Sequence, residues 1–278
     1  MGITTALELN KRLSQAVGDY IQVAVSTNIA ANNLITSNTF WEYDNGQNRF
    51  DNFYTYIVSK NNEDKERKIR NYYTANATCN VFGSALSSDT NVADVRIGRF
   101  KYFDKQNAIN IALFETYPDL FREVDDRASI VCNSSLFEYA LPTWAAQGVV
   151  RQVLTNTSVY TADEDEWDRV WNWSIVNAGA SIRLPALWST GTKVRLRGIS
   201  PLETIAGPSN AVNIDGRQVD LLVTYAKYKL YQTMDDPVAS EDVNRYKLAS
   251  EEAYREYIRL LPSLGMHPPA TTLKWGGI

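Results

Sequence analysis

Residues 215–262 read DGRQVDLLVTYAKYKLYQTMDDPVASEDVNRYKLASEEAYREYIRLLP, and their periodicity decides the fold reading. Val219, Leu222, Val223, Ala226, Leu230 and Thr233 recur at helical spacing, as do Val243, Tyr246, Ala249, Ala253, Tyr257 and Leu260. Asp235-Asp236-Pro237 separates the two runs. A helix does not readily cross it, because proline lacks an amide hydrogen and clashes with the preceding turn. Ser240 is a candidate cap for the second helix, with Glu241 and Asp242 supplying negative charge to its first turn. Pro262 and Gly265 are its expected stop. So short a connection predicts an antiparallel pair.

Working outward, Leu9, Leu13, Ala16, Val17 and Tyr20 mark a short N-terminal amphipathic helix that ends at Gly18-Asp19. Residues 104–115 are almost wholly apolar, through Ala108, Ile109, Ile111, Ala112, Leu113 and Phe114. A helix with so little polar surface is expected at the centre of a bundle. Between these helices, residues 21–103 change texture. Asp44-Asn45-Gly46 is a turn signal, residues 52–58 read as a strand, and the charged residues 61–70 read as an exposed hairpin tip. Residues 148–214 are again strand-like. In Lys193-Val194-Arg195-Leu196-Arg197, Val194 and Leu196 point one way and the three cations the other. The expected fold class is therefore α+β. A helical bundle (1–20 and 104–278) carries a long C-terminal helical hairpin, a small second β region at 148–214 and an extended tail at 264–278. Residues 21–103 form an inserted antiparallel β-sandwich or barrel.

Composition narrows the function classes. With 22% charged residues and a net charge of -4, the chain is neither a polycation for nucleic acid nor an acidic tail. No apolar run reaches membrane-spanning length, and the opening residues predict no secretory leader. Cys79 and Cys132 are expected to be buried free thiols in a reducing compartment. The 16 tyrosines and 7 tryptophans read first as a β-rich core, with room left for surface spent on neighbours, since aromatics suit interfaces as well as interiors.

The search for chemistry predicts no catalytic residue, no metal and no cofactor. His267 is the one histidine, too few for a nucleophilic triad or a His/Cys metal site. Neither a phosphate-binding loop nor a dinucleotide fingerprint is present. Asp163-Glu164-Asp165-Glu166 with Asp168 reads as a solvated acidic turn rather than a cation loop, which would need a glycine turn and converging ligands. Those acids, with Trp167 and Trp171 as platforms, would serve a carboxylate-based glycan hydrolase. Their adjacency, however, does not tune acid and base apart. A glycan-binding module at 21–103 is a further reading. Lys193, Arg195 and Arg197 form either the solvent side of a strand or a contact for DNA or an acidic partner.

A resemblance to one family emerges from this layout. It is carried by the central helix followed by Tyr117-Pro118-Asp119-Leu120-Phe121, then Leu184-Pro185, the segment 191–198, Pro201-Leu202 and the two C-terminal helical runs. The chain resembles the head-to-tail connector proteins of tailed bacteriophages, also called adaptor or neck proteins, over about its second two-thirds. The resemblance implies a non-enzymatic virion protein assembled in the host cytoplasm. It would form a ring, typically a dodecamer, beneath the portal protein, extend the DNA channel without sequence-specific binding, and receive the next neck or tail protein. A tail-completion or baseplate protein is the near alternative. Under this reading Met266, Leu273 and Trp275 in the tail are portal-contact candidates, and Tyr228, Tyr231 and Tyr254 are candidates for contacts between subunits.

Overall fold

A computed structural model describes residues 3–23, 27–30, 33–43, 49–92, 95–156, 167–234 and 242–266. In chain order the elements are β1 (Ile3–Thr5), α1 (Ala6–Ala16), β2 (Ile21–Val23), β3 (Thr27–Ala30), β4 (Leu34–Thr36), β5 (Tyr54–Ile57), β6 (Lys65–Tyr73), β7 (Thr78–Val81), β8 (Asp89–Val92) and β9 (Val95–Gly98). Then come α2 (Tyr102–Glu115), β10 (Arg122–Val131), β11 (Glu138–Ala140), α3 (Thr143–Gln147), β12 (Val149–Asn156), β13 (Trp167–Arg169), β14 (Ser174–Val176) and β15 (Ser181–Arg183). The last are β16 (Lys193–Ser200), β17 (Ala211–Asn213), α4 (Gly216–Thr233) and α5 (Asp242–Leu264).

The expected helical-bundle fold class does not hold. The chain is mixed α/β, 36% helical and 33% strand. Two of its three hydrophobic cores are closed by β layers rather than by helices. No continuous C-terminal hairpin is described either: α4 and α5 pack on each other, and the residues joining them, 235–241, lie outside the described set. Helical periodicity located these helices but said nothing of how much strand the rest of the chain would build. Pro262, expected as a stop, sits in the last turn of α5, where Gly265 N–H still reaches Leu261 O at 2.9 Å.

The first β layer is an antiparallel sheet in the order β2-β9-β5-β6-β7-β4-β3-β8. Its curl comes from the nine-residue β6, which pairs with β5 through residues 65–68 and with β7 through residues 69–73. Inside the curl, Phe40, Phe50, Tyr72, Ile57 and Ile69 are buried, with Phe50 and Tyr72 edge to face at 4.9 Å. Each such side chain contributes about 1.5–3 kcal/mol by burial.

The second β region is larger than the small one expected. A four-stranded sheet, β10-β16-β12-β13, and a three-stranded sheet, β11-β15-β14, share a core of Val153, Val194, Leu196, Ile182 and Leu184. Gly198 on β16 is required here: a Cβ would lie 2.2 Å from Val149 O.

The helices α1, α2, α4 and α5 form the third layer, around Leu9, Leu13, Ile109, Leu113, Leu222 and Leu230. Thr5 caps α1 by accepting from Glu8 N–H at 3.2 Å. Asn110 and Ile205 exchange two hydrogen bonds (2.9 and 2.7 Å), tying α2 to the loop before β17. The expected central position of α2 is corrected. α4 packs against both α2 and α5, while Phe103 and Phe114 of α2 stand 50% and 58% exposed.

Candidate interaction surfaces

The tyrosines singled out for subunit contacts take part in a seam within the chain, between α4 and α5. On α4, Tyr225, Tyr228 and Tyr231 face Tyr257, Tyr254 and Tyr246 of α5, with centroid separations of 4.8, 5.1 and 6.1 Å. The pairing runs antiparallel, so tyrosines spaced three apart on one helix meet those on the other. Tyr231 also meets Phe100 edge to face at 6.1 Å. Tyr225 Oη donates to Glu115 Oε2 at 2.8 Å, and Lys229 Nζ reaches the same oxygen at 2.6 Å. Desolvation alone would raise the Glu115 carboxyl, but these two donors hold it below its usual range. Of the three candidates, Tyr254 alone remains substantially exposed, at 44%.

Met266, expected as a portal anchor, is partly buried against the helical core, and its N–H donates to Asp119 O at 2.7 Å. The other two tail candidates, Leu273 and Trp275, lie outside the described residues, as do His267 and the acidic run 163–166.

Lys193, Arg195 and Arg197 lie on one face of the four-stranded sheet but have different surroundings. Lys193 is exposed. Arg195 is buried to 7% and donates through Nε to Asp125 Oδ1 at 2.6 Å, with a second close contact from its Nη2 to Oδ2. Its guanidinium also lies over the Trp167 ring at 5.4 Å. The Arg195 fork, foremost, holds the Asp125 carboxyl below its ordinary range, with Arg197 and Arg127 adding to it. Arg197 remains 44% exposed and reaches Asp125 at 3.5 Å.

Residues missed from sequence extend this face. Cross-strand partners share a side, so the pairs Asp125↔Arg197, Gln152↔Arg197, Leu154↔Arg195 and Leu154↔Arg169 set one continuous row. Arg169 stacks on Trp171 at 4.1 Å. A bulge between Val150 and Gln152 interrupts the alternation of β12, and Arg151 borders an open concavity of about 560 Å³ with Gln152, Arg197 and Glu123. No spacing in the sequence announces a bulge or a partner seventy residues away.

A second overlooked surface is apolar. Leu248 and Ile258 on α5 are 65% and 46% exposed, while the buried side of that helix is marked by Ala253 and Tyr257. Leu248 falls outside the apolar stripe of its helix, and that was the readable signal. Together with Phe114 on α2, these residues place large apolar groups on the two helices that flank α4.

Among the described residues, no group of three or more His, Cys, Asp or Glu side chains could hold a metal ion, and no helix is long and apolar enough to cross a membrane. No protein-family model matches this chain, and no curated protein matches it in sequence.

Proposed function

We propose that this chain is a structural protein of the neck of a tailed phage, an adaptor that forms a ring beneath the portal and continues the DNA channel. The observation that supports this reading best is the arrangement of the helical layer. α4 lies between α2 and α5, and each flanking helix exposes large apolar side chains, Phe114 on one and Leu248 with Ile258 on the other. Two unlike sticky faces on one subunit suit a head-to-tail contact, and such contacts close into rings when the rotation allows. The portal contact falls to the tail beyond Met266, and the tyrosine seam keeps the helical layer rigid rather than joining subunits. The protein acts by shape and assembly, without catalysis.

Native mass spectrometry of the purified chain, alone and with portal rings, tests the reading. A closed multi-subunit ring is expected. The double variant Leu248→Glu/Ile258→Glu should dissociate at concentrations at least about tenfold higher than wild type, since each buried aliphatic is worth roughly 1.5–3 kcal/mol. A wild-type chain that stays monomeric at all concentrations and never joins portal rings ends the proposal.

A further inference from the structure

The outer face of the four-stranded sheet differs in sign from the molecule that carries it. The chain has a net charge of -4, yet this face carries Arg127, Arg169, Arg195 and Lys193, and Arg151 and Arg197 border its concavity. Among the described residues lining the concavity, Glu123 and Asp125 are the acids that oppose them. We propose that this face binds the acidic run Asp163-Glu164-Asp165-Glu166 of a neighbouring copy of the same chain. The proposal deepens the ring reading and rests on it for the presence of that neighbour.

Two observations carry it. The face already recognises a carboxylate: Asp125 sits in the Arg195 fork with Arg197 at 3.5 Å and Arg127 at 3.7 Å. Planar guanidinium groups bind carboxylates through paired N–H donors, and Arg197 is exposed enough to accept another one. Second, the chain supplies its own complement. Four consecutive carboxylates occur once in the sequence, so in a ring of identical copies every basic face has an acidic run available.

Nucleic acid fits the face less well. A phosphate backbone is a continuous line of charge, and Glu123 and Asp125 stand in its path. Separate carboxylates can settle on Arg151 and Arg197 and avoid both.

The experiment uses the full chain and a fluorescein-labelled synthetic peptide copying residues 157–168, read by fluorescence anisotropy at low and high NaCl. Binding that weakens with salt is expected. It should fall at least about tenfold in Arg151→Glu/Arg197→Glu, by an intermediate factor in Arg151→Gln/Arg197→Gln, and be lost for a peptide with its four central acids replaced by amides. Melting curves confirm that each variant folds. Absence of peptide binding, or retention of a random-sequence DNA duplex in preference to the peptide, overturns the proposal.

Assembly gives an independent arm. Arg151→Glu/Arg197→Glu and a chain with residues 163–166 all changed to lysine should each assemble poorly alone and assemble together when mixed, because each then meets its complement. Rings that form unchanged from Arg151→Glu/Arg197→Glu overturn this contact and leave the ring reading standing. A wild-type chain that stays monomeric overturns the ring, and the peptide measurement then decides the face by itself.

Discussion

Lys105 against Asp19 and Arg195 against Asp125 both set a cation against a carboxylate, and burial makes the two pairs do different work. Where α1, β9 and α2 meet, Lys105 Nζ lies 2.9 Å from Asp19 Oδ1 and 2.9 Å from Ser14 Oγ, with side chains only 5% and 2% exposed. Asp19 Oδ2 accepts from Phe100 N–H at 2.9 Å, so both carboxylate oxygens are engaged. On the open sheet face, Arg195 is as buried as Lys105, but its partner Asp125 is 40% exposed and shared with Arg197 and Arg127. The first pair is a joint that fixes the curled sheet to the helices. The second leaves charge at a surface where another molecule can use it. Tyr56 and Tyr102, stacked at 3.7 Å, and the N–H of Tyr102 donating to Glu66 at 2.5 Å, reinforce the same joint.

The largest effect should come from breaking the joint. Lys105→Met leaves the buried Asp19 side chain without its cation and with Phe100 N–H as a remaining donor, a loss of about 3–5 kcal/mol in urea unfolding. Lys105→Met/Asp19→Asn removes both charges and keeps an acceptor for Phe100 N–H, so most of that loss should return. If the single and double variants unfold at the same urea concentration, the pair is not the joint described. Next in size is Gly98→Ala. Its Cβ would lie 2.8 Å from Asp19 Oδ1 and 3.0 Å from Lys105 Nζ, too close for the pair to keep its geometry. About 1–3 kcal/mol is expected, and a loss much smaller than that would mean the pair has room to shift.

These contrasts also mark how far the sequence could be read. The helical runs at Val219–Leu230 and Ala249–Leu260 were legible as elements, because burial on one side imposes a period that survives in the residues themselves. The fold class was not legible from them. Strands as short as β2 or β11 carry too few alternations to count, and the curl depends on β6 changing partners partway along. On the candidate surfaces, the alternation of β16 was visible at Lys193, Arg195 and Arg197. Their inequality was not, because Asp125 and Trp167 arrive from other strands. The tyrosines were visible as a surplus on these two helices; their pairing with one another across α4 and α5 was not. Lys105 gave no signal, since a lysine in an apolar helix reads as an exposed residue until Asp19 closes over it.

The open pair should give a smaller loss than the joint. Arg195→Ala removes two hydrogen bonds to a charged partner, but Asp125 stays solvated and keeps Arg197 nearby, so about 1–2 kcal/mol is expected. A loss equal to that of Lys105→Met would erase the distinction between the two regions.

Acid titration separates them most finely, because the two regions respond with opposite sign. Asp125 has a depressed carboxyl, chiefly from the Arg195 hydrogen bonds. Its contribution is fully present above the unfolded value near 3.9 and is lost as pH falls through the lower folded one. Glu66, beside the joint, is shifted the other way: burial raises it, Asp104 adds to the rise, and the N–H groups of Tyr102 and Phe103 with Lys101 oppose it. Its contribution is therefore full below the unfolded value near 4.3 and is lost as pH climbs through the raised folded one. Lowering pH from neutral should first relieve Glu66 and only below about 4 weaken the Asp125 cluster. Glu66→Gln keeps an acceptor for Tyr102 N–H and removes the first phase, while Arg195→Ala removes the second. Stability measured against pH for the wild type and these two variants should show each phase vanish alone. A single variant that abolishes both would mean the joint and the open face titrate as one cluster.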